Sequence, residues 1–257
     1  MRSHHPDIDG AVPVTNRFNL YQAVHKGLRA FMADTLVRVG HTDAADPQDC
    51  ADGAEQVRTL LHLCGEHVMH ENHFIHTAME RRAPSSAGQA ETEHVEHVAE
   101  IAALRGVLVH AEMASPAQRE AHWLRLYHAL SLFVAGNLTH MLMEEQTHNA
   151  VLWAHYSDEE LIALHDELVA SIPPEEMAVH FRWILPSVSH AERVGMLQGM
   201  RQGMPPEVFA SQLDMAHALL PMREWFKLKA AFQEQAAVTV APQPSTSCVV
   251  KVRETCS

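Results

Sequence analysis

The chain has no apolar run approaching the roughly 18 residues that a membrane-spanning helix needs, so no membrane segment is expected. Its first residues, MRSHHPDIDG, lack the apolar stretch of a secretory signal, and none is expected. Cysteine is scarce. Cys50, Cys64, Cys248 and Cys256 show no CxxC spacing, which fits a reduced, cytoplasmic chain rather than a disulfide framework. Positive charge is also short: 19 Lys and Arg face 32 Asp and Glu, for a net charge of −13. That balance leaves no basic face for nucleic acid. No nucleophile elbow, Walker loop or dinucleotide fingerprint occurs. Any reaction would therefore belong to a bound metal, and binding or sensing is the expected role rather than that of a dedicated enzyme.

Histidine is what the chain has in excess. Its 21 histidines outnumber all Lys and Arg together, and 17 of them precede residue 157. With 47% hydrophobic residues over 257 positions, a sizeable core is expected and global disorder is excluded.

Gly and Pro are rare inside long segments whose apolar residues recur at helical spacing. Four long helices are expected first, over residues 18–40, 47–80, 88–112 and 116–155, the last opened by Ser115-Pro116. SDEE at 157–160, PPEE at 173–176, SHAE at 189–192 and PPEV at 205–208 each start a shorter helix. PMREWFKLKAAF is a last amphipathic piece. The expected organisation is an N-terminal arm (1–17), a four-helix region (18–156), a helical extension (157–235) and a flexible tail (236–257).

Residues three or four apart share a helix face, and each long helix interrupts its apolar stripe with metal-ligand side chains. The first stripe reads Phe18, Tyr21, His25, Leu28, Met32. The second reads Leu60, Cys64, His67, Glu71, Phe74. The third passes through His94, Val98 and Ile101, and the fourth through Phe133, Asn137, His140, Glu144 and His148. His67 and Glu71 lie about 40° apart on an ideal helix, as do His140 and Glu144. His62, His73 and His76 fall on the opposite side and are expected to face water, with His70 on the shoulder. Burying each unpaired polar group costs roughly 2–7 kcal/mol, so six would exceed the ~5–15 kcal/mol that holds a domain together. A shared cation resolves the conflict, and mixed imidazole and carboxylate donors on facing helices are how di-metal sites are built in bundles.

LYQAVHKGLR, HVMHENHFIHTAME, EHVEHVAEIAAL and FVAGNLTHMLMEE together resemble the hemerythrin-like, or HHE cation-binding, family over residues 18–155. The resemblance implies an all-α, up-down-up-down four-helix bundle holding a non-haem di-iron centre with oxo, hydroxo or carboxylate bridges. By position it implies His25, His67, His94 and His140 as terminal iron ligands, with Glu71 and Glu144 as bridges. The small ligands implied are O2, NO or peroxide. The oxygen carriers of the family place a second histidine four residues after the third-helix ligand, where this chain has Val98. His148, His97, His70 and Glu145 are the candidates for an additional ligand.

Three alternatives stand beside it. Ferritin-like di-iron proteins use Glu-x-x-His pairs, which Glu91-His94 and Glu145-His148 match, but the first helix offers no glutamate. Manganese or zinc is a weaker fit than iron, since structural zinc sites recruit cysteine. A helical interaction module with a structural metal would use the C-terminal helices to bind a protein partner or a second copy.

Overall fold

The computed structural model describes residues 17–240, with side chains through residue 232, and every regular element among them is helical. The chain divides into two compact units, one up to Val188 and one from Ser189.

The first unit begins with α1 (Gln22–Gly40). Asp46 caps α2 (Pro47–His70) by accepting from the backbone N–H groups of Gln48 and Asp49, with Pro47 at the first helical position. The helix expected over 47–80 does not continue as one α-helix. It passes through a π-helical segment, Glu71–His76, before resuming as α3 (Thr77–Arg82). Next come α4 (Gly88–Glu112) and α5 (Arg119–His155). Ser115-Pro116 opens a turn, and α5 starts three residues after the proline, at Arg119. A capping box formed by Ser157 and Glu160 starts α6 (Asp158–Ser171), and Pro174 starts α7 (Pro174–Ser187).

Each long helix packs against two others: α1 on α2 and α5, and α4 on α2 and α5. Two apolar clusters fill the space between them. One joins Leu28 to Val39 of α1, Ala54 to Cys64 of α2, Ile101 to Ala111 of α4 and Trp123 to Met141 of α5. The other joins Leu20 and Tyr21, Ile75 and Met79, Ala87, and Leu152 with Leu161 of α6. The stretches of chain between these clusters are where every stripe turned polar in the sequence, so a hydrophilic layer lies between two dry ones.

The expected boundary at 156/157 is not where the compact units divide. Leu161 is fully buried in the second cluster, and α7 lies along α1, stacking Trp183 on Phe31 with ring centroids 4.2 Å apart. Short helices of this kind bury their apolar faces only against a larger neighbour.

The second unit contains α8 (His190–Gly203), α9 (Pro206–Leu219) and α10 (Met222–Val240). Leu197, Phe209, Ala216, Leu220 and Leu228 are buried in it, as is Arg193, which pairs with Glu224 at 3.1 Å. α10 runs past the expected end at residue 235. The remainder of the expected tail, 241–257, and residues 1–16 of the expected arm lie outside the described residues, as do Cys248 and Cys256. Among the described residues no helix is long and apolar enough to cross a membrane.

Candidate metal centre

In the hydrophilic layer, α1 contributes His25, α2 His67, the π segment Glu71, α4 His94, and α5 His140 and Glu144. His25 Nε2 lies 3.5 Å from Glu71 Oε1 and 3.6 Å from Glu144 Oε2. His67 Nε2 is 3.2 Å from Glu71 Oε1. Across the layer, His94 Nε2 sits 3.4 Å from both Glu71 Oε2 and Glu144 Oε1, and His140 Nε2 is 3.2 Å from Glu144 Oε1. Two four-donor groups result, His25-His67-Glu71-Glu144 and Glu71-His94-His140-Glu144, with the donor atoms of each group within 4.8 Å of one another. Both share both carboxylates.

The residues fit a bound metal pair. Metal–donor bonds of about 2.0–2.2 Å place neighbouring donors about 3.0–3.5 Å apart, close to the separations just given. Glu71 and Glu144 are 2% and 0% exposed, and none of their four oxygens has a hydrogen-bond partner. His25 Nε2 and His67 Nε2 are likewise unpaired. The outward nitrogens differ. His25 Nδ1 meets Glu145 at 3.0 Å, His94 Nδ1 meets Asn72 at 2.8 Å and His140 Nδ1 meets Glu93 at 2.6 Å. Imidazoles held from behind while their inner nitrogens converge on shared carboxylates are the usual arrangement around a metal.

The electrostatics follow from burying two carboxylates together. Burial raises the Glu144 pKa, as does Glu71, but the facing His140 and His94 imidazoles outweigh both and bring it to about 2. Burial opposes ionisation of Glu71 too, and the facing His67, His25 and His94 imidazoles hold its pKa well below the usual range. At His25 the hydrogen bond to Glu145, with Glu71, overcomes the burial penalty, and at His94 Glu144 and Glu71 do so; both pKa values rise to about 9. His67 and His97 are governed by burial and fall to about 4.

The other sequence candidates separate. His148 is 2% exposed and forms a third group with Glu144 and His76. His97 is buried, its ring centroid 4.5 Å from that of His140, but it joins none of the three groups. His70 is buried outside them as well. Glu145 faces out of the layer, shared between His25 Nδ1 and Arg29 Nη1. Glu91 is exposed, so neither Glu-x-x-His pair contributes its glutamate to a donor group. Val98 is 55% exposed.

His76 corrects the sequence reading. An ideal helix turns it away from His67, yet it is 2% exposed, with its ring stacked 4.9 Å from that of His94. The π segment is the cause: its wider turn, about 4.4 residues against 3.6, retards the rotation of every later side chain. His62 and His73 are exposed, as expected. Glu93, Asn72 and Tyr21, which hold histidines from behind, were not read as site residues. The i−4 position of Tyr21 relative to His25 was the one visible signal.

No known family model, no curated protein and no solved structure matches this chain.

Proposed function

We propose that residues 18–156 form an up-down-up-down, hemerythrin-like four-helix bundle that holds two iron ions and couples them to O2, NO or redox state. One observation carries the reading: six side chains, five of them buried and His67 half-buried, turn donor atoms inward as two groups that share both carboxylates, whose four oxygens have no hydrogen-bond partner. Histidine and glutamate in this mixture suit iron or manganese. Thiolate, which would favour zinc, is absent from the groups; Cys64 sits in the apolar cluster, where burial pushes its thiol up to about 12. The ferritin-like alternative is weakened by the outward Glu145 and exposed Glu91.

Bound iron would supply the electron transfer and the coordination position for a small ligand. The chain supplies the rest. Glu71 and Glu144 offset the ions' charge, the outer partners fix each imidazole, and the two apolar clusters keep bulk water from the layer.

The test is metal content per chain by elemental analysis, with absorption spectra of the ferrous protein before and after air is admitted. About two irons and a new charge-transfer band support the proposal. A chain that binds a single zinc, or no metal, defeats it. The lifetime of the band separates a reversible carrier from a sensor or oxidase.

A further inference from the structure

Among the described residues, His76 is a buried polar side chain that the six-residue centre leaves unexplained. Both of its ring nitrogens are buried and neither has a hydrogen-bond partner. A polar group left in that state costs about 1–3 kcal/mol, and an apolar residue of similar size would pack there without the penalty. The π segment that turns it inward is itself a departure from regular hydrogen bonding, and such segments recur at functional sites. Two unfavourable features thus serve one outcome, an imidazole in the hydrophilic layer.

His148 reaches the same place from α5. Its Nδ1 lies 2.8 Å from the hydroxyl of Tyr21, which is fully buried. When Nδ1–H donates to the phenol oxygen, the other nitrogen keeps its lone pair. Tyr21 thereby does for His148 what Glu145, Asn72 and Glu93 do for His25, His94 and His140. The rings of His76 and His148 meet edge to face at 5.3 Å. One donor atom each from His76, His148 and Glu144 lie within 4.8 Å of one another.

Glu144 decides how this group is used. Its Oε1 faces His94 and His140, and its Oε2 faces His25. Both oxygens already belong to the two ion positions, so His76 and His148 have no carboxylate of their own for a separate third ion.

We infer that His76 and His148 are ligands of the same two-ion centre, adding two imidazoles to those of His25, His67, His94 and His140. The inference rests on the two-ion reading and extends it. A centre with six imidazoles and two shared carboxylates is richer in nitrogen than the six-residue set. One of the added imidazoles comes from the π segment and the other from α5.

The experiment uses the full-length metal-free chain and Co2+, with affinity measured by competition against a chelator and stability by thermal unfolding without metal. The variants are His76→Leu and His148→Leu. Substituting a residue that only supports a ligand costs 10–100-fold in metal affinity, so losing a direct ligand is expected to weaken Co2+ binding at least tenfold. Metal-free His76→Leu is expected to unfold at or above the wild-type temperature, because the unpaired nitrogens are gone. Binding within tenfold of wild type in both variants would overturn the inference and leave the six-residue centre standing. Weaker binding accompanied by a lower unfolding temperature of metal-free His76→Leu would assign His76 a structural role and also overturn it. A wild-type chain that takes up no Co2+ would remove the two-ion reading itself.

Discussion

The Nε2 atoms of His94 and His140 lie 2.9 Å apart on different helices, and both face Glu144 Oε1. Two imidazole lone pairs cannot face each other at that distance without a proton or a cation between them. In the metal-free chain the proton is the answer, and His94, whose burial penalty is outweighed by Glu144 and Glu71, keeps it up to about pH 9. Metal must displace that proton and the one held by His25. Uptake of a divalent ion at pH 7 in weak buffer should therefore release protons, and apparent affinity should climb with pH until about 9. A pH indicator and a chelator competition series measure the two effects. Affinity that stays flat between pH 6 and 9 would contradict this assignment of the protons.

The same groups set the stability of the metal-free chain. His25 and His94 have folded pKa values raised to about 9, above the ~6.5 of an unfolded histidine. Their contribution is complete below ~6.5 and disappears as pH rises through 9. His67, His76 and His97 are depressed to about 4 by burial. Below ~6.5 the unfolded chain takes up their protons first, so stability also falls with acid. Glu144, lowered to about 2, adds a further loss at lower pH. Thermal unfolding of metal-free protein should be most resistant near pH ~6.5, and bound metal should flatten the alkaline side. A monotonic profile from pH 4 to 9 would refute the scheme.

Face assignment is tested by pairs of substitutions on one helix. His67→Ala and Glu71→Ala each remove a donor from a buried group and should leave the chain with at most one metal ion. His62→Ala and His73→Ala alter exposed rings on the same stretch and should retain full metal content. Elemental analysis of the four purified variants distinguishes them. Equal metal in all four would mean that the inward pair is structural.

Much of this centre was legible before any coordinates. The stripes through His25, His67-Glu71, His94 and His140-Glu144 are periodic, and period is what a regular helix writes into sequence. His76 was illegible for the same reason: its position depends on a local π turn at Glu71–His76, and a rule that advances about 100° per residue places it on the wrong face. The helical extension divides for a different reason. Apolar residues such as Phe181 and Trp183 favour C-terminal helices that pack on the long ones, but which of them do so is settled by packing: Leu161, Phe181 and Leu185 are buried and α6 and α7 fall in the first unit. Glu93 and Asn72 carry no pattern at all, since they act through a single contact with a histidine on another helix.

Those outer contacts should matter to metal binding. Glu93 Oε2 lies 2.6 Å from His140 Nδ1 and fixes which ring nitrogen carries the proton. Glu93→Gln keeps the size of the side chain but removes its charge and leaves the other amide atom to compete. Metal affinity is expected to fall 10–100-fold with little change in the unfolding temperature of the metal-free chain, because Glu93 is partly exposed. Undiminished affinity in that variant would show that His140 is held by packing alone.

The last test concerns how α7 reaches α1. At Gly27, two residues along α1 from the metal-ligand candidate His25, a Cβ would stand 2.7 Å from Ile184 Cγ1 and 3.1 Å from the Ile184 backbone nitrogen and Cα. The side-chain contact could be relieved by a rotamer change, but the backbone contacts cannot, so α7 must move outward. Trp183, stacked on Phe31 next to this point, would lose part of its contact. Gly27→Ala gains helix propensity in α1, worth up to about 1 kcal/mol, against about 1–3 kcal/mol for overpacking. The net expectation is destabilisation by about 1–2 kcal/mol, visible as a lower midpoint in urea. Ile184→Ala in the same background removes the atom that clashes most closely, and should recover part of the loss despite being destabilising alone. If Gly27→Ala is neutral or stabilising by itself, α7 is not seated on α1 as tightly as the distances at Gly27 require.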